Sequence, residues 1–405
     1  MQFWSILFVL SLTLVLYNYA GYAIIAGCLN SLRKERPPDT PVNTPFFPTV
    51  TFIVAAYNEE DFIEKKIHNS LEQDYPADKI EFIFITDGST DGTMDIIRKY
   101  PRIRLMHQAG RHGKSAAMNR AVDTARNEII IFSDANTTLN KEAIRNIARH
   151  YRDSHVGGVA GEKKVIPLEG VIDEAGAGEG LYWKYESLLK RLDARFYSVV
   201  GAAGELFSVR REHFQHLSPG VILDDFVLSL KVAEKGYRIA YEPEAFAMEL
   251  PSVSLKEERK RKVRIAAGGF QSIGILWRLL LFWRQPRLSF LYISHRVLRW
   301  TLSPLCLVLA LVSNVVLCLN GTPPPVYWVS LILQLLFYAL AALASLMPPD
   351  KRPSVIKLPY YFTFMNVSVI WGFFRFLRGR QSGVWEKTNK HYAKRSEDIS
   401  ERELL

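Results

Sequence analysis

Three short polar clusters hold the residues best suited to bind a charged substrate: Tyr57-Asn58-Glu59, Asp87-Gly88-Ser89 and Asp134-Ala135-Asn136. One such cluster after an apolar run is ordinary turn chemistry. Several on one edge of one sheet mark a site. Further on, Asp224-Asp225 precede an apolar helical run, where two acids also serve as a simple N-terminal cap. The dense charge run 257–264 ends in Arg261-Lys262-Val263-Arg264. Taken by itself, it reads as a solvated, membrane-facing helix. Gly110-Arg111-His112-Gly113-Lys114-Ser115 imitates a phosphate-binding loop, but only two residues separate its glycines, where four are required. No Gly-x-Gly-x-x-Gly follows the first strand-like run. A nucleotide held here is therefore not held as kinases or dehydrogenases hold theirs.

The elements that position these residues alternate. A strand-like run, 50–56, leads into a helix with Phe62, Ile63, Ile67 and Leu71 at helical spacing. A second strand is expected over 80–85 and a third near 103–106. A helix follows from about Lys114 to Arg126, then a fourth strand over 128–132. Strands alternating with helices predict a parallel sheet in a doubly wound α/β domain. Ligands of such sheets bind beyond the carboxyl ends of the strands, which is where all three clusters fall.

The order and strand placement of Ala55-Ala56-Tyr57-Asn58-Glu59, Asp87-Gly88-Ser89-Thr90-Asp91, Gly113-Lys114-Ser115-Ala116-Ala117-Met118-Asn119 and Asp134-Ala135-Asn136 resemble the family 2 glycosyltransferases. The resemblance is to the membrane branch of poly-N-acetylglucosamine, chitin, hyaluronan and cellulose synthases, over about 48–390. It implies a nucleotide-sugar-binding domain of GT-A type beside transmembrane helices, a UDP-sugar donor, an inverting transfer and Mg²⁺ or Mn²⁺. On this resemblance Ala55, Tyr57, Glu59, Asp87, Lys114, Asp134 and Arg261 belong to the donor side, with Asp87 at the nucleoside. The metal falls to Asp134 and to Asn136, which stands where the family usually has a second acid. Asp225 takes the place of the catalytic base, with Asp224 in the preceding Glu place. Arg264 takes the place of the arginine that neutralises the leaving diphosphate. Ile265 replaces a Trp that lies beneath the acceptor sugar in polymerising synthases, which puts processivity in question. The glycine-rich run 200–204 resembles a family segment near the acceptor, and Glu205 beside it carries no assigned role.

The 405 residues carry a net charge of +10 and are 48% hydrophobic, unevenly spread. Residues 3–28 hold no charge and are long enough to span a bilayer. They lack the positive n-region and cleavage site of a signal peptide. Arg33, Lys34 and Arg36 follow, so the soluble domain is expected in the cytoplasm of a multi-pass plasma-membrane protein. The expected organisation is an anchor (1–30), a catalytic domain (45–265), an interfacial helix (266–285), a membrane region (290–378) and a basic tail (379–405). Within the membrane region, 300–319 and 326–347 read as spans. Residues 358–376 have basic residues on both sides and read as interfacial or re-entrant. Trp385-Glu386-Lys387-Thr388 resembles a motif that these synthases keep near the active site. The basic residues gather beside the membrane segments rather than in one stripe, which argues for lipid head groups and against nucleic acid. Cys28, Cys306 and Cys318 form neither a disulfide framework nor a metal site. The expected partners are a glycan or lipid-linked acceptor and membrane lipids. With so few spans, a polymer channel would need a second copy or an export subunit. The expected product is a β-linked polysaccharide; the rivals are a single sugar added to a membrane lipid and an inactive export subunit.

Overall fold

The computed structural model describes residues 1–32, 46–165, 176–250, 254–348 and 351–379. Arg33, Lys34, Arg36, the 385–388 motif and the basic tail beyond 379 lie outside the described residues.

Eight strands form one sheet: β1 (Val50–Ala56), β2 (Ile80–Asp87), β3 (Ile103–Gln108), β4 (Ile129–Asp134), β5 (Thr138–Leu139), β6 (Val156–Val165), β7 (Leu206–Arg210) and β8 (Arg238–Glu249). Their order is β3-β2-β1-β4-β7-β6-β8-β5. The first four are parallel, as their alternation with helices predicts. Beyond β4 the sheet is mixed: β7 runs antiparallel to β4 and β6, and β8 parallel to β6. The alternation breaks there because β4 is followed after a short turn by the two-residue β5 and not by the helical crossover that a parallel neighbour needs. The expected fold class, a GT-A-type α/β domain with apolar helices, holds, with a sheet that is parallel in one half only.

β1 is buried along its whole length, as a central strand covered on both faces must be. Its side chains alternate between two cores. Val50, Phe52 and Val54 join Phe82, Phe84, Ile63 and Ile67 on one face. Ile53 and Ala55 join Ile83, Ile85 and Met118 on the other. The second core does not stop at the catalytic domain, since it also contains Tyr22 and Ala26 of the N-terminal helix and Leu291, Tyr292 and Trp300.

Among the described residues, three helices are long and apolar enough to cross a membrane: Gln2–Ser31, Leu302–Leu319 and Pro325–Leu346. The helix Ser354–Leu377 is not among them. It lies against the helix Leu255–Ile275 so closely that a Cβ added at Gly372 would collide with Ala266. The helix Leu255–Ile275 runs unbroken through 265–266, between the segments that the sequence separates into catalytic domain and interfacial helix. The interfacial helix expected over 266–285 thus begins earlier and ends at Ile275, followed by a short turn of 3₁₀ helix at Trp277–Leu280. Ser254 caps the start of the longer helix, accepting a hydrogen bond from the Glu257 N–H.

Candidate active site

The carboxyl ends of β1, β2 and β4 meet the start of the helix Lys114–Thr124. Asp87, at the end of β2, is buried and fully engaged. It accepts hydrogen bonds from the His112 N–H (2.8 Å), the Gly113 N–H (2.7 Å) and Arg120 (3.2 Å). These bonds fix the loop in which Gly113 takes a φ of 92°, open to glycine at no steric cost. The loop then delivers Lys114, whose Nζ reaches Asp134 Oδ1 at 2.6 Å. The three polar clusters are knitted together: Asn58, itself at φ 51°, accepts from the Thr90 N–H at 2.8 Å, and the Glu59 N–H donates to Thr93 at 2.9 Å. The Tyr57 ring lies under the Arg111 guanidinium at 3.7 Å. Ala55 pairs with Asp134 across the β1–β4 ladder.

A cavity of about 670 Å³ opens beside this edge. Of the residues singled out from sequence, Lys114, Asp134, Asp224, Asp225, Arg261 and Arg264 line it, as does Ile265. Ala55, Tyr57, Glu59, Asp87 and Asn136 sit outside its wall, along the neighbouring sheet edge. The glycine-rich run shapes the floor. A Cβ at Gly204 would stand 2.9 Å from Lys114 Nζ and 3.3 Å from Asp225 Oδ2, so the bare backbone here keeps the two groups in reach of a common ligand. Gly201, at φ 84°, lies flat against the Phe226 ring.

Charge in the cavity is strongly coupled. Burial and the neighbouring Asp224 push the Asp225 carboxyl up to about 7, against the pull of Lys114. Burial works against the Lys114 ammonium, but Asp134, Asp224 and Asp225 outweigh it and hold Lys114 protonated. A carboxylate that titrates near neutrality beside a fixed cation is suited to accepting a proton.

Two residues of the site were not singled out from sequence. Glu205 lines the cavity, and although burial opposes it, the Lys163 contact holds its carboxyl down at about 2. Lys66 is fully buried beneath the β4–β5 turn and donates to Ser133 Oγ (2.7 Å) and the Thr137 carbonyl (3.0 Å). Burial lowers its ammonium to about 7, against the Asp134 charge. The one signal for it lay in spacing: Ile63, Lys66, Ile67 and Ser70 share the buried helix face.

A divalent cation fits this chain in one way only. Among the described residues no three His, Cys, Asp or Glu side chains converge on a metal position. Yet Asn136 Oδ1 is buried without a hydrogen-bond partner, and no helix starts after it until Ala143, so it is not a cap. Asp134 and Asn136 therefore suit a hard cation that takes its remaining ligands from substrate phosphates, as Mg²⁺ commonly does.

Residues 51–218 match the family model described as glycosyl transferase family 2. The poly-beta-1,6-N-acetyl-D-glucosamine synthase of Staphylococcus aureus is 27% identical over 283 residues, covering 67% of this chain and 66% of that protein. The probable glycosyltransferase YdaM of Bacillus subtilis is 26% identical, over 64% of each chain. The chain thus spans just under two thirds of the length of these relatives. The mannosyltransferase PcManGT of Pyrobaculum calidifontis, solved with GDP-Man and Mn²⁺, superposes with a TM-score of 0.68 at 22% identity, over 93% of this chain and all of that one. The fold is thereby shared over nearly the whole length, membrane helices included. The matched segment and these relatives together show that the chain carries a family 2 glycosyltransferase domain over residues 51–218.

Proposed function

We propose that the protein transfers a sugar, with inversion, from a UDP-sugar to an acceptor hydroxyl, with Asp225 as the base. The observation that carries this reading is the Asp225 carboxylate on the cavity wall, with its pKa near 7 and Lys114 close by. The acceptor oxygen attacks the anomeric carbon, its proton passes to Asp225, and the bond from that carbon to the diphosphate breaks. Negative charge then grows on the leaving diphosphate, where Arg264 and Lys114 are in place on the wall to meet it. Asp134 and Asn136 would hold Mg²⁺ or Mn²⁺, which when bound shares in neutralising the diphosphate. Lys66 keeps the turn that carries them in place, and Asp87 orders the loop that presents Lys114.

The Staphylococcus aureus relative makes poly-β-1,6-N-acetylglucosamine, which supports a β-linked polysaccharide as the product here, with N-acetylglucosamine and glucose as the leading donor sugars. A second reading, one sugar added to a membrane lipid, draws on Ile265 and on Leu358, Phe362, Met365 and Val369, which give the cavity an apolar wall. The catalytic domain is taken to face the cytoplasm, where nucleotide-sugars are found.

Purified protein in lipid nanodiscs, given radiolabelled UDP-N-acetylglucosamine or UDP-glucose with Mg²⁺ or Mn²⁺, should release UDP and label a product. A ladder of sizes supports the polymer and a single lipid-soluble product supports the second reading. A folded Asp225→Asn variant that transfers as fast as wild type would refute the mechanism.

A further inference from the structure

The end of the cavity away from the strand edge is lined by the helix Gly176–Phe196 and by 296–300. There Glu186 meets Arg296 and also accepts from Arg299 Nη1 at 3.2 Å. Asp193, one helical stretch on, is taken by Tyr22 and by His295 (2.6 Å). The acids of this cluster are thus satisfied, but the cations are not. Arg299 is 9% exposed, and its Nε and Nη2 have no hydrogen-bond partner. Lys190, one turn beyond Glu186, is 2% exposed, and its Nζ has no partner either. Aromatic rings stand near both, Tyr185 at 5.7 Å from Arg299 and Tyr241 at 5.9 Å from Lys190; the Tyr185 hydroxyl also engages the Arg299 guanidinium, which still leaves its Nε and Nη2 without an acceptor. Buried cationic donors left unpaired are costly, and both of these residues line the cavity that Asp225 lines.

We infer that Lys190 and Arg299 form an anion subsite that takes the phosphate of a lipid-linked acceptor. Two further observations select a lipid phosphate over a free anion. The helix Ser354–Leu377 gives the same cavity a wall that is mostly apolar, with Leu358, Phe362, Met365 and Val369 beside Tyr361, Asn366 and Ser368. Tyr19, which also lines the cavity, belongs to a helix long enough to span a bilayer. A phosphate on a hydrocarbon tail satisfies both walls, whereas a soluble phosphate satisfies one. The subsite also lies close to the chemistry. Arg296 lies 6.0 Å from the Phe226 ring and Trp300 packs on that ring at 5.3 Å, and Phe226 is the neighbour of Asp225. The inference rests on the sugar-transfer reading only in calling the bound lipid an acceptor.

The test uses the full chain in nanodiscs of zwitterionic lipid, with Trp183 and Trp300, both on the cavity wall, as fluorescence reporters. Dioctanoyl phosphatidylglycerol, dioctanoylglycerol and glycerol 3-phosphate are titrated separately. The phosphatidylglycerol should bind saturably and about tenfold tighter than either of the others, the scale of one charge-assisted hydrogen bond. Lys190→Gln, which removes no hydrogen bond from the fold, should lose roughly tenfold in that affinity, and Arg299→Lys should lose less than Arg299→Gln. Equal binding of dioctanoylglycerol, equal binding of glycerol 3-phosphate, or an unchanged Lys190→Gln variant would each overturn the inference. UDP titrated into the same samples reads the donor side separately. Failure to bind UDP would count against sugar transfer while leaving the lipid result intact.

Discussion

Asp225 and Gly204 show how much a single residue decides here. Because burial and Asp224 hold the Asp225 carboxyl near 7, turnover should fall as pH drops below about 7 and level off above it. Initial rates across pH 5.5–9 in nanodiscs check this, and Asp225→Asn should remove both the limb and the activity. The same shift has a cost in stability. The folded chain keeps this proton to about pH 7, while the unfolded chain releases it near the ordinary Asp value of 3.8. Stability from this group therefore declines as pH rises from about 4 to 7 and stays low above that. Asp225→Asn should accordingly raise the melting temperature more at pH 8 than at pH 4. The gain should be about 1–3 kcal/mol, since the carboxylate faces an open cavity that screens it. Gly204→Ala needs no unusual backbone angle, yet its methyl group would stand between Lys114 and Asp225. It should leave the melting temperature nearly unchanged and cut kcat by about tenfold or more, as expected when reacting groups are forced apart. Asp225, Lys114 and Arg264 stood out in sequence because they sit in motifs, and all three line the cavity. Glu205 was not, because its role depends on Lys163, 42 residues away in the chain.

At the scale of elements, the parallel half of the sheet was readable because each of β1, β2 and β3 is followed by a helix. The mixed half was not, because β5 is two residues long and β7 follows a long helix. Nor did the pattern show that one helix joins 255 to 275, since its charged first half and apolar second half look like different segments. The β4–β5 turn is where an element depends on a hidden residue. Replacing Lys66 by Met exchanges a buried ammonium of low pKa for an apolar chain of similar length, a type of change that folds tolerate. It should keep the fold but free Ser133 and Thr137, weakening metal-dependent nucleotide binding by severalfold. Calorimetric titration of UDP with Mn²⁺ would measure the loss. Lys66→Ala should instead leave a cavity and lower stability by about 2–4 kcal/mol.

For the whole molecule, hydropathy marked the three long apolar helices, yet it gave no sign that the first of them shares a core with the catalytic sheet. Tyr22 and Ala26 are packed in that core. The Asn18 side chain donates to the Ser294 carbonyl at 2.8 Å, and that of Asn30 to the Leu192 carbonyl at 2.9 Å. Tyr22→Phe should therefore cost about 1–3 kcal/mol through the lost Asp193 contact, seen as a lower melting temperature in nanodiscs. A chain lacking residues 1–31 should fail to give active protein, unlike a head that merely hangs from an anchor. The contact between Trp300 and Phe226 has a mechanical consequence. Trp300 comes two residues before the 18-residue apolar helix Leu302–Leu319, and Phe226 comes one residue after Asp225. At 1.5 Å per residue that helix is about 27 Å long, slightly short of a hydrocarbon layer of about 30 Å. A bilayer thicker than that would pull on this helix, and the pull would arrive one side chain from the proposed base. Membrane thickness would then become a setting of the catalyst itself, and turnover in nanodiscs of short-chain and long-chain lipid should differ.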